Sequence, residues 1–105
     1  MTLSTGTIED RLREIDADLE ARVGVLERAA LAWYQAKRQR EHDRAVAFLK
    51  AEGTVAERNA EADKQTALDG SESEAEYESV RAVVRVLETR ASIGQSLLKA
   101  YGRAA

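Results

Sequence analysis

A chain of 105 residues with no proline, no cysteine, 5% aromatic and 33% charged residues is one domain at most, built mainly of long helices. The composition excludes a thick globular core, a disulfide framework, a cysteine nucleophile and a thiolate metal site. A net charge of −3 argues against nucleic-acid binding by the chain as a whole but leaves room for a local basic patch.

Residues 1–6 read as a frayed end, and Thr7 with Asp10 as the cap of a first helix. Apolar residues then recur at Ile8, Leu12, Ile15, Leu19, Val23, Leu26, Ala30 and Trp33. Steps of three and four, with one extra step of four near Arg22 and Val23, make a heptad pattern with a stutter. Beyond Trp33 the stripe weakens, because Lys37, Arg40 and Arg44 stand where apolar residues are due. Ala45, Phe48 and Leu49 restore it, so the spacing predicts a first arm over about 7–51.

A turn follows at 52–54. Gly53 has no Cβ and can take the left-handed conformation that closes a helix. Thr54 with Glu57 three residues on forms a capping box, with the Thr54 hydroxyl accepting the Glu57 N–H and the Glu57 carboxylate reaching the Thr54 N–H. A stop and a start side by side require the two arms to lie antiparallel.

The second arm reads as about 55–101. Its first part is thinly apolar, and Asp69-Gly70-Ser71 interrupts it. Ser71 with Glu74 and Ser73 with Glu76 both resemble helix starts. The favoured reading is a continuous or kinked arm and the other is two helices, because matched arms of roughly 65–70 Å suit a hairpin. From Tyr77 the pattern is strong: Tyr77, Val80, Val84, Leu87, Ala91, Gly94, Leu98 and Tyr101 alternate three and four as one seam. A second apolar row, Val83, Val86, Ile93 and Leu97, runs beside it. One neighbouring helix cannot cover so wide a stripe. The expectation is that a second copy covers the row, giving a homodimeric antiparallel four-helix bundle.

Charge blocks point to the same fold-back. The basic stretch 37–50 comes opposite the acidic stretch 52–78, and the acidic N-terminal stretch opposite the basic stretch 81–103. Exposed pairs contribute tenths of a kcal/mol each, so their weight is on register.

Candidate sites are few. His42 has no second histidine and no cysteine near it, which suits a solvated surface role. Glu72, Glu74, Glu76 and Glu78 spread around a helix rather than gather on one face. There is no phosphate-binding loop, Ser/His/Asp grouping or paired-carboxylate cleft, so the expectation is no enzyme, no cofactor and no metal. Lys37, Arg38, Arg40 and Arg44 could meet phosphates, with Trp33 or Tyr34 stacking on a base. Trp33 is most simply a core or dimer-contact residue, and Tyr34, one step around, an anchor for a partner.

The central stretch Ala47-Phe48-Leu49-Lys50-Ala51-Glu52-Gly53-Thr54-Val55-Ala56-Glu57-Arg58-Asn59-Ala60-Glu61-Ala62 resembles a small group of phage helical-hairpin proteins. These carry a central AEGTVAER-x-AEA signature between two charged helices. The resemblance covers residues 35–98, and Thr89–Leu97 echoes the group's basic, Ser-Ile-rich C-terminal end. Genes of that group often lie near replication and single-strand recombination functions, which implies an accessory role. Asp69-Gly70-Ser71 departs from the group, which keeps helix formers there.

The sequence is therefore read as an all-α, coiled-coil-like hairpin and a non-enzymatic interaction protein. A phage-encoded accessory or host-directed factor that binds itself and another protein is the first reading. A nucleic-acid-binding accessory of a replication or recombination complex, using 37–44, is the alternative. No apolar run reaches the length of a membrane span and no signal peptide is evident, so a cytoplasmic location is expected.

Overall fold

The computed structural model describes residues 4–104. The described chain is an all-α antiparallel hairpin whose elements are, in order, α1 (Thr5–Lys50), α2 (Val55–Thr66) and α3 (Ser71–Ala104). It divides into two compact units. One joins the chain up to Glu27 with the chain from Glu78 onward, and the other is Arg28–Tyr77.

The cap of α1 is Ser4, not Thr7. The Ser4 hydroxyl accepts the Thr7 N–H at 3.2 Å, and the Ser4 carbonyl accepts the Ile8 N–H at 3.0 Å. Thr5 and Gly6, expected to fray, are helical. The rest of the expected frayed end, residues 1–3, lies outside the described residues.

In the first unit α1 and α3 share one seam. Ile8 and Leu87 are buried in it, and Leu12, Ile15, Leu19, Val80, Val84, Ala91 and Leu98 are half-buried. Gly94 lets Leu12 reach the α3 backbone: a Cβ at Gly94 would stand 2.7 Å from Leu12 Cδ2. As expected from the spacing, the α3 seam faces inward, with Tyr101 exposed at its far end.

The expected stutter in α1 is absent. The inward positions are Ile8, Leu12, Ile15, Leu19, Arg22 and Leu26, which alternate four and three without interruption, and Val23 is 53% exposed. The stutter follows from apolar residues alone, whereas the inward position belongs to an arginine. Arg22 is half-buried there, as the apolar stem of a long basic side chain allows. Its Nε is buried without a hydrogen-bond partner, and the Asp18 carboxylate stands 3.9 Å away.

The second unit holds the turn. Gly53 has φ +109, outside the range L side chains adopt readily, and a Cβ there would stand 2.6 Å from Glu57 Oε2. Thr54 is extended and its hydroxyl accepts the Glu57 N–H at 3.2 Å, as the capping box requires. The other half of the box differs from expectation. The Glu57 carboxylate takes the Thr54 hydroxyl hydrogen at 3.1 Å instead of the backbone N–H, because its side chain folds over Gly53.

The second arm is two helices, so the continuous reading is corrected. Between α2 and α3 the N–H of Asp69 bonds the Thr66 carbonyl and that of Ser71 bonds the Leu68 carbonyl, both tight three-residue closures. Gly70 has φ +78, and its carbonyl accepts the Glu74 N–H that starts α3. Ser71 is thus the first helical residue, and neither Ser71 nor Ser73 is the cap. Gly70 also brings the chain onto α1, since a Cβ there would lie 3.3 Å from Ala36 Cβ and 3.4 Å from Trp33 Cζ3. Small residues let α2 pack closely: Ala47 and Ala62 are buried, and the buried Thr66 hydroxyl donates to the Ala62 carbonyl at 2.8 Å.

Two stability outcomes follow from these positions. Gly53→Val forces a branched side chain into a positive φ against Glu57 and is expected to cost about 1–3 kcal/mol in a denaturant titration. An unchanged midpoint would mean that the turn does not need its glycine. Arg22→Leu removes from the seam a buried nitrogen that makes no hydrogen bond, at the loss only of the loose 3.9 Å ion pair to Asp18, and is expected to raise stability by about 1 kcal/mol, read as a higher midpoint with the same slope.

Candidate functional site

The basic stretch does not form one surface. Trp33 is half-buried with its ring edge over Gly70, and the Lys37 ammonium stands 5.7 Å from the ring centroid. Tyr34 points into solvent at 63% exposure. Lys37 and Arg38 are exposed and Arg40 is half-buried. Arg44 turns onto α2, where it donates to Asp63 at 2.7 Å and to Asn59 at 3.3 Å. That contact realises the expected pairing of the basic 37–50 block with the acidic block after the turn. Of the six residues singled out as a partner or nucleic-acid contact, Trp33 and Arg44 are thus engaged within the hairpin.

His42 is exposed, and among the described residues no group of three or more His, Asp or Glu could hold a metal ion. Among the described residues no helix is long and apolar enough to cross a membrane.

The clearest surface feature lies in the first unit. Val86 is 50% exposed and Ile93 55%, with Val83 and Leu97 also exposed. The hairpin itself therefore leaves the second row uncovered, as the width of the stripe implied. Ile93 and Leu97, with Gly94, form one bank of an apolar groove of about 580 Å³. Ile8, Leu12 and Ile15 of α1 form the other bank, and Arg11 and Arg90 stand at its rim. The groove exists because the seam at Gly94 is narrow: the helices touch through Leu12 and leave apolar flanks uncovered on one side.

Two residues had no place in the sequence reading. Arg58 ties the turn together: its Nε donates to the Phe48 carbonyl at 3.1 Å and its guanidinium lies 4.5 Å from the Phe48 ring centroid. It thereby satisfies a carbonyl at the end of α1 that the helix itself leaves open. The available signal was a basic residue four positions after the cap, which is weak. Arg90 is the other. It falls between Val86 and Ile93 in the second row, and the spacing of the row does reveal it once charge is allowed in an apolar line.

No family model, curated protein or solved structure matches this chain. The central stretch Ala47–Ala62 builds the turn: Ala47 and Ala62 are buried, Gly53, Thr54 and Glu57 make the turn and cap, and Arg58 braces it.

The two arginines at the turn should differ in weight. Arg58→Ala loses a part-buried charge-assisted bond and a ring contact, and is expected to cost about 1–2 kcal/mol. Arg44→Ala loses an exposed ion pair and is expected to cost less than about 1 kcal/mol. Urea midpoints of the two variants compare them directly, and an equal or reversed order would contradict the assignment.

Proposed function

We propose that this chain is a non-enzymatic protein-interaction module that holds a helix of another chain against α3. One observation carries the reading: an apolar row on α3, Val83, Val86, Ile93 and Leu97, lies in water beside an apolar groove. Scattered apolar residues on a surface need no explanation, but four exposed apolar residues along one helical line, two of them lining a groove, mark a contact face. A groove between two antiparallel helices is the shape that a third helix fills, with anchors at three- and four-residue spacing.

The basic stretch supports a nucleic-acid role less well. Arg44 is held by Asp63 and Asn59, and the Trp33 ring lies against Gly70. Neither is presented for stacking or for phosphate.

The test uses labelled synthetic peptides of about three heptads with an apolar heptad stripe, titrated into the protein and followed by fluorescence anisotropy. Wild-type protein should bind members of the panel, and Val86→Glu should weaken binding by at least about tenfold. The thermal melt of Val86→Glu should stay close to wild type, because Val86 lies outside the seam. Binding that ignores Val86→Glu would reject the row as the contact face. A low-salt gel shift with single-stranded and duplex oligonucleotides, lost in Lys37→Ala or Arg38→Ala, would transfer the function to the basic stretch.

A further inference from the structure

The second row on α3 is not wholly apolar. Val83, Val86, Arg90, Ile93 and Leu97 follow one another at steps of three, four, three and four, so Arg90 occupies the middle of the line. It is exposed, it borders the groove, and it shares a neighbouring cleft with Arg11, Glu14, Asp18 and Leu87. The two carboxylates in that cleft face other partners on α1. Glu14 bonds Arg11 at 2.8 Å, and Asp18 lies 3.9 Å from Arg22. Among the described residues Arg90 itself has no ion pair or hydrogen bond, and it stands in the line that any covering helix must cross.

We propose that the partner on this face is an amphipathic helix with a carboxylate in the centre of its apolar stripe, placed to meet Arg90. This rests on the reading of the groove as a helix-docking site and names the chemistry of its occupant. A single charged group inside an apolar helical seam selects the partner that neutralises it, and rejects partners that do not, since covering it unpaired is costly.

Charge also decides against a second copy of α3 as the cover. In a parallel two-fold pairing Arg90 lies beside the other Arg90. In an antiparallel pairing that keeps row on row, the two Arg90 side chains come within roughly one helical turn, about 5 Å along the axis. Around it Arg85 and Lys99 stand against Glu88 alone, so the flanks repel as well. An acidic helix meets the same flanks favourably and is steered toward them at low salt.

The test varies one position in the peptide panel. Three helices share the same apolar stripe and differ in the central residue, which is Glu, Gln or Lys. Wild-type protein should bind the Glu helix about tenfold tighter than the Lys helix, a difference of about 1.4 kcal/mol. Arg90→Glu should invert that order, and Arg90→Gln should remove it. Arg90→Gln should also keep the wild-type melt, because the exposed side chain makes no hydrogen bond or ion pair among the described residues. Light scattering of the protein alone should give the monomer mass. Equal binding of all three helices would overturn the acidic partner while leaving the docking groove standing. Failure of all three to bind would reject the groove itself. A dimer whose mass falls to the monomer on Val86→Glu would overturn the proposal in favour of a second copy. A lowered melt in Arg90→Gln with no peptide preference would instead assign Arg90 to its own Glu14 and Asp18.

Discussion

Two helices laid side by side share a single seam, and that limit shapes the rest of this molecule. Each helix can bury one stripe, so no large side chain becomes fully enclosed among the described residues. Close approach substitutes for depth. In the first unit Leu12 meets the α3 backbone at Gly94, and in the second Ala47, Ala62 and Gly70 bring the elements together. Small residues at a helix contact raise the number of atoms in van der Waals range per apolar side chain, which matters most where few large ones are present. The same limit leaves α3 with a face that the hairpin has no means to cover.

The two positive-φ glycines solve different problems. Gly53 reverses the chain and makes room for the Glu57 side chain, while Thr54 starts the next helix. Gly70 does not reverse anything. It ends the short link between α2 and α3, and it does so at the point where a Cβ would press against Trp33 and Ala36. Long side chains then finish what the backbone begins. Arg58 holds an open carbonyl at the end of α1 from across the turn, and Arg44 fastens α1 to α2.

Much of this was legible from residue types alone. The turn at Gly53, the Thr54 cap, the inward line of α3 and its bare second row all follow from local chemistry and spacing. What escaped the reading has a common cause. Apolar residues were taken to mark the inward line of α1, but a thin seam has open edges, so Arg22 can lie along it and Val23 can stay outside. For the same reason Arg90 was passed over in a row defined by its apolar members. The cap at Ser4 was displaced because Ser4 and Thr7 are equivalent chemically, and only the backbone path separates them. The break at Gly70 was visible as a signal, but the symmetry of the arms outweighed it. Contact with Trp33, which no local pattern encodes, decided the matter.

The brevity of α2 has a consequence for how the molecule breathes. At 12 residues it sits at the lower limit of what holds together in water unaided, about 12–15 residues, and a conformationally permissive glycine lies beyond each end. Its grip on α1 rests on two alanines, one internally bonded threonine and the contacts of Arg44 and Arg58. Such a segment detaches as a piece before the molecule comes apart. Deuterium should therefore enter the amides of 55–66 ahead of those in the middle of α1, and a protease should find its first cut there.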